Sequence, residues 1–349
     1  DAGAEQIIAL INSLIPGTIS GRDIRLSLLD QAVTMRDARL VGPDGNTIIK
    51  ARRLRLNMDL PALGKGALLF RSIHLEQPVG TLMLEADGRF NIEKAFVEKR
   101  TEEKGLSVFI NKLFAHAGDL DVCGPDGKTW ARLKQFDLSL SAGFAEDTMM
   151  RLSIPRSRLI VLPGDRDIDC GMVSLSGALI NDRIQDIMFT AQNHTSRMVV
   201  KGALNDLERK AKLEGTADFD LELAEFRHVF GIPGQSRGRI SGTLKASGVY
   251  DNPDLACDLV YGGGNVGGTG MGPVTLKGAM RDRVFSCEEL TYRVAAGRIR
   301  AAGTVDLQPV FPQGYGGVVK KDKVAYRLTA TASGLRIKEL PSLPHDFDG

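Results

Sequence analysis

Along most of this chain, apolar side chains fall on alternate residues. Leu54, Leu56, Met58 and Leu60 alternate with Arg53, Arg55, Asn57 and Asp59. A period of two places one set on one face of an extended strand and the other set on the opposite face. Phe136, Leu138 and Leu140 repeat the pattern. From about Val173 onward short strands follow one another, each with small residues and a glycine among its apolar positions. Phe219, Leu221 and Leu223 alternate with Asp218, Asp220 and Glu222. Ile240, Leu244, Ala246 and Tyr250 share one face, as do Ile299, Ala301, Val305 and Leu307. Turns such as Asp251-Asn252-Pro253 separate the strands. The spacing predicts a mostly β chain: an elongated antiparallel sheet with one apolar face, curled by its internal glycines.

One turn occurs twice. Gly42-Pro43-Asp44-Gly45 returns as Gly124-Pro125-Asp126-Gly127, 124 − 42 = 82 positions later. Pro-Asp-Gly suits a type I turn closed by a glycine at positive φ, a common hairpin closure. Before the first copy, Val33 and Met35 alternate, then Ala38 and Leu40 resume on the opposite parity. Such a switch within one strand predicts a bulge. Residues 61–70 are expected to hold one helical turn.

Ile7, Ile8, Leu10, Ile11, Leu14 and Ile15 have near-helical spacing and stop at Pro16-Gly17, which predicts a short amphipathic helix within residues 1–20. It either caps a core, or lies on a membrane surface or forms the tail of an anchor. The absence of Lys and Arg from its polar side counts against an electrostatic surface binder. Residues 21–92 then form a first β unit, 93–105 a charged linker, 106–172 a second β unit and 173–349 a repetitive series of strands.

Composition removes several classes. The 349 residues carry a net charge of +2, and aromatics are 6%, which argues against a nucleic-acid binder. No apolar run approaches the ~18 residues of a membrane span. The chain begins at Asp1 without Met, so a processed product or fragment is expected, with any signal or anchor removed upstream. Cys123, Cys170, Cys257 and Cys287 form no C-x-x-C pair. They are expected as small buried side chains rather than a disulfide framework, although sequence leaves their pairing open.

Candidate chemistry is sparse. Asp165, Asp167 and Asp169 alternate as in a calcium loop, but Cys170 and Ser176 stand where such a loop needs Gly and Glu, so an acidic turn is expected. The glycine-rich stretch 261–272 lacks the Lys and the following helix of a phosphate cradle, and reads as a flexible loop between strands. Asp218, Asp220 and Glu222 form a carboxylate row that alternation puts on the wet face, where nothing would perturb it. His74, His116, His194, His228 and His345 are scattered, and no G-x-S-x-G elbow occurs. Asn193-His194-Thr195 matches a glycosylation acceptor, a three-residue pattern of low specificity. No catalytic constellation, metal site or cofactor site is expected, and the chain reads as no enzyme.

The order of the N-terminal motifs carries a resemblance. "SLIPG" comes first, then "RDARLVGPDG", the alternating "ARRLRLNMDL", a small Leu- and Gly-rich turn, "IHLEQP" and "DGRFNI". In this order the chain resembles the AsmA-like superfamily of Gram-negative bacteria, and within it the TamB family. The later "SGTLKASGVYDNPDL" and "GRIRAAGTVDL" resemble that family's degenerate strand repeats. The resemblance implies a long curled sheet, open along one side like a taco, with a hydrophobic interior. It also implies a periplasmic protein held in the inner membrane by an anchor outside this chain, moving phospholipid toward the outer membrane. An Omp85-type partner in outer-membrane protein assembly is implied as well.

A sheet with one apolar face must cover it, with a second layer or with acyl chains, each buried methylene contributing about 0.8 kcal/mol. The contact is non-directional, so a lipid can slide from rung to rung. The residues expected to line such a track are Leu54, Leu56, Met58, Leu60, Leu138, Leu140, Phe219, Leu221, Leu223, Leu244, Ile299 and Val305. The competing expectation is a scaffold that captures protein partners by strand addition at its sheet edges.

Overall fold

The alternation becomes strand. The computed structural model describes residues 1–63, 68–96, 108–144, 148–162, 167–207, 210–226, 235–294, 297–312 and 324–334. The chain is mostly β, with a short N-terminal helix. It divides into two units, Asp1–Asn181 and Asp182–Gly349. The two β units expected over 21–92 and 106–172 therefore lie within one.

The first unit opens with α1 (Ala2–Leu14), capped by Asp1, whose carboxylate accepts from Gly3 N and from Leu26 N, both at 3.2 Å. Strands β1 (Thr18–Ser27), β2 (Ala32–Val41) and β3 (Thr47–Met58) form an antiparallel meander. One helical turn, α2 (Leu60–Leu63), leads to β4 (Leu68–Glu76), which pairs with β3. After a break at Gln77-Pro78, β5 (Val79–Met83) continues beside the start of β3. The helix α3 (Asn91–Phe96) follows, then β6 (Val108–Ile110) and β7 (Lys112–Cys123). These run parallel to β4 and β5, a departure from the antiparallel pairing found elsewhere in the described sheet. Strands β8 (Thr129–Phe144), β9 (Thr148–Val161) and β10 (Ile168–Ile180) complete the unit as antiparallel neighbours.

Residues 93–96, expected to open a linker, are instead helix: Ala95 is fully buried and its carbonyl accepts from Gly17 N at 2.9 Å. Asn91 ties α3 to β5, accepting from Met83 N and donating to Thr81 O. Residues 97–105 of the expected linker lie outside the described residues.

Both copies of the repeated turn close alike. Gly42 N bonds Asn46 O at 2.8 Å and Gly124 N bonds Lys128 O at 2.9 Å, while Asp44 and Asp126 each accept from the backbone two residues on. The bulge expected in β2 is present: Asp37 has φ +49 and the buried set changes from Met35 to Ala38 there. Comparable positive-φ residues recur at Asp23 in β1, Gln77 between β4 and β5, Ala117 in β7 and Gln135 in β8. Each such residue inverts the facing of the side chains after it, so neighbouring strands keep their apolar sets aligned only by switching together.

The second unit is an antiparallel meander of β11 (Arg183–Gln192), β12 (Arg197–Asn205), β13 (Lys212–Glu222), β14 (Arg237–Val249) and β15 (Asp254–Val266). It continues through β16 (Thr269–Met271), β17 (Val274–Arg281), β18 (Val284–Val294), β19 (Gly297–Asp306) and β20 (Ala325–Ser333). One short helix, α4 (Leu223–Phe226), interrupts it after β13.

Three expectations change here. The glycine-rich stretch 261–272 is no loop but the end of β15 and a hairpin to β16, pairing Gly264 with Met271 and Val266 with Thr269. Leu223 does not extend the face of β13, because the strand ends at Glu222 and Leu223 starts α4. Tyr250 lies past the end of β14 in a turn and is exposed.

Candidate functional site: an apolar sheet face

In the first unit the apolar face is partly roofed. Val33, Leu56 and Ile73 stand opposite one another across β2, β3 and β4, with Met35, Leu54 and Leu75 as the next row. Ala4, Ile8 and Ile11 of α1 join this face in one hydrophobic cluster. Asn12 holds the helix down by exchanging two bonds with Ile19, at 2.9 and 2.8 Å. The N-terminal helix is therefore a cap on a core. Leu56 and Met58, each 2% exposed, belong to that packed core rather than to an open track. Leu60 leaves the strand for α2 and packs at the edge of the same cluster.

Beside that core the packing is incomplete. A cavity of about 290 Å³ is lined by Leu54, Leu56, Phe70, Leu113 and Leu140 from the sheet and by Phe96 from α3. Its volume is near the lower end of the ~300–1,000 Å³ usual for ligand pockets. Further along, Leu138 is half-buried against a small cluster formed by Ala115, Phe136 and Ile154.

The second unit differs. Reading across the register from β11 to β20, Phe189 faces Val200, Ala217, Leu244, Cys257, Gly278, Cys287, Gly303 and Leu328 in turn. The adjacent row is Ala191, Met198, Phe219, Gly242, Leu259, Leu276, Leu290, Ala301 and Ala330. A third runs from Leu221 through Ile240, Tyr261, Val274, Tyr292 and Ile299 to Ala332. A fourth includes Ala246, Leu255, Met280, Phe285 and Val305. None of these rows holds an ionisable acid or base of the Asp, Glu, Lys, Arg or His type. Phe219, Leu244, Leu259, Leu276, Leu290, Ile299 and Val305 are half-buried, and no buried hydrophobic cluster forms over them among the described residues. The face is continuous and lacks a facing layer there.

Glycines shape it. A Cβ on Gly242 would stand 2.2 Å from Asp258 O, and one on Gly278 would meet Ser286 O at 2.6 Å. Adjacent strands approach more closely there than any side chain allows, which coils the sheet.

The opposite face carries the charge. Arg239 pairs with Asp220, and its guanidinium holds that carboxyl below the usual carboxylate range. The carboxylate row expected to be unperturbed is thus perturbed at Asp220, by a cross-strand ion pair. Asp218 accepts from Thr243 Oγ1 at 2.6 Å and Glu222 from Gly238 N at 3.2 Å.

The remaining candidates resolve into structure. Asp167 and Asp169 pair with Arg132 and Arg158, and Asp165 lies outside the described residues. Asn193 donates to Glu225 at 2.9 Å, and Ser196 Oγ donates to the same carboxylate at 2.6 Å, clamping the β11–β12 turn to α4. His74 stacks on Phe114 with ring centroids 4.8 Å apart, and His116 pairs with Asp137. His228 and His345 lie outside the described residues. The four cysteines are free, and burial pushes the Cys257 and Cys287 thiols up. Among the described residues no group of acids, His and Cys could hold a metal ion, and no helix is long and apolar enough to cross a membrane.

No protein-family model, curated protein or solved structure matches the chain. The rows of Val274, Leu276 and Leu290, and the cavity under α3, were not singled out from sequence. The signal was the same period of two, but joining it across strands needs the register.

Proposed function

We propose that the chain is a lipid-carrying module of the AsmA-like type, in which phospholipid acyl chains lie along the apolar face of the second unit. The supporting observation is the set of four apolar rows, two of them crossing β11–β20 and two crossing most of β13–β20, without an ionised side chain or a facing layer among the described residues. Water against such a face is unfavourable, and acyl chains cover it at about 0.8 kcal/mol per buried methylene. Uniform rungs give no step of high affinity, so a chain moves along them without a large barrier. On this reading the module acts in the periplasm between inner and outer membrane, uses no cofactor and catalyses no reaction. The apolar cavity under α3 would take the end of one acyl chain.

Native mass spectrometry of the purified chain tests this. Phospholipid should co-purify, and Leu244→Arg or Leu276→Arg should abolish it while the far-UV spectrum stays that of a β protein. A lipid-free spectrum of the unmodified chain would sink the reading.

A second reading has its own support. Every residue of β20 is exposed, and among the described residues this strand is the last of the meander, paired with β19. Strand addition there would suit a scaffold for outer-membrane protein assembly with an Omp85-type partner. Proline at Thr329 should then abolish capture of that partner, and charges on the apolar face should not.

A further inference from the structure

We infer that the outer face of β1–β3, together with the tip of the β1–β2 hairpin, docks the first unit onto the surface of an anionic phospholipid bilayer. The site is separate from the apolar face of the second unit.

Two independent observations carry this. The first is apolar: Leu28 and Leu29, at the hairpin tip, are 71% and 99% exposed. Elsewhere in this hairpin the aliphatic side chains turn toward the core. These two are held outward by a built turn. Ser27 Oγ donates to Asp30 at 3.2 Å, Arg55 donates to the same carboxylate at 3.0 Å, and Gln31 N closes on Leu28 O at 3.3 Å. Rigidly presented leucines enter a bilayer interface with little ordering cost.

The second observation is charge. On the outer face Arg36 pairs with Asp23, Arg53 with Glu76 and Arg55 with Asp30. Arg22, Arg25, Arg39, Lys50 and Arg52 are exposed and have no acidic partner within 4.0 Å among the described residues. Arg22, Arg39, Lys50 and Arg52 converge on an open depression of about 760 Å³ that holds a single acid, Asp37. Cross-strand pairing makes part of the convergence, since Arg39 stands opposite Lys50. Like charges set side by side repel, and a sheet face keeps them where an anion offsets the repulsion. A phosphate-bearing bilayer surface supplies many anions over the area that this face spans, with hydrocarbon just beneath for Leu28 and Leu29. A protein partner with an acidic rim and an apolar pocket is the competing occupant.

The experiment is co-sedimentation of the full chain with vesicles of phosphatidylcholine alone and of phosphatidylcholine mixed with phosphatidylglycerol. Binding is expected to the mixed vesicles and to weaken as salt shortens the screening length. Leu28→Ser with Leu29→Ser, and separately Arg22→Glu with Arg39→Glu, should each lower it at least tenfold. Leu244→Arg, which tests the lipid track, should leave it unchanged, so this inference and that function fail separately. A chain carrying Leu29→Trp and Trp130→Phe reports insertion directly, with a blue shift of its indole emission expected on mixed vesicles only. Equal binding to both vesicle types, no binding to mixed vesicles at low salt, or full binding with no shift in the emission of the introduced indole would overturn the inference, and the second leaves a protein partner as the occupant.

Discussion

Asp119 and Asp137 cap one another's strands. Asp119 Oδ1 accepts from Gln135 N at 2.9 Å, and Asp137 Oδ1 accepts from Ala117 N at 3.0 Å. Each acid stands two residues beyond the positive-φ residue of its own strand and satisfies the one on its neighbour. A bulge leaves an amide without its ladder partner, and these carboxylates replace the lost bonds. Asp137→Ala should therefore destabilise the first unit by about 1 kcal/mol, the discount reflecting an exposed carboxylate. The double change with Asp119→Ala should cost less than the two single changes added together, because the bulges share one seam. Urea unfolding of the four chains measures both effects.

The same contact sets a pH dependence. The bond from Ala117 N, and next the His116 ring, hold the Asp137 carboxyl below its ordinary value of 3.8. A depressed carboxylate contributes stability that is present above the unfolded-state value and is lost as pH falls through the folded one. Unmodified chain should lose stability below about pH 4 more steeply than Asp137→Asn. Parallel acid titrations of urea midpoints would reveal it, and identical slopes would remove the role given to this bond.

Leu56 and Leu244 occupy equivalent alternating positions but differ in cover. Leu56 lies in the cluster roofed by α1, whereas Leu244 is half-buried on the open face. Leu56→Ala should cost about 2–5 kcal/mol through lost contacts and a cavity. Leu244→Ala should cost only about 1 kcal/mol, as part of the removed surface already meets solvent and the open face leaves no closed cavity. Equal losses in denaturant midpoints would mean that the second face is covered.

Gly242 makes the close approach of β14 to β15 possible. With a Cβ placed 2.2 Å from Asp258 O, Gly242→Val should destabilise by about 2–4 kcal/mol. Hydrogen exchange should locate the loss in the Thr243 to Asp258 pairing rather than in the first unit.

Cys257 reports on occupancy of the face. Burial, and next the carboxylate of Asp258 with lesser neighbours, raise its thiol above the ordinary value of 9.0, so little thiolate exists at neutral pH. Alkylation of Cys257 should be slow at pH 7 and accelerate as pH climbs through the raised value. Added phospholipid should slow it further at fixed pH. Peptide mass mapping after timed alkylation reads both, and indifference to lipid would count against acyl chains on that row.

Much of this architecture is local in origin. The period of two, the paired Gly-Pro-Asp-Gly turns and the parity switch between Met35 and Ala38 each depend on a few adjacent residues, so the sequence by itself determined strands, hairpins and a bulge. The glycines of 261–272 misled, because a glycine-rich strand and a glycine-rich loop have the same composition. Tertiary structure decided what neighbouring residues cannot encode. It set β4 and β5 parallel to β6 and β7, and it drew the bulges of five segments into one seam. It also drew α1 into the cluster that buries Leu56, while leaving Leu244 without a facing layer among the described residues. Leu56 and Leu244 read alike along the chain; cover depends on which distant segment packs above each, and that is a matter of non-local contact.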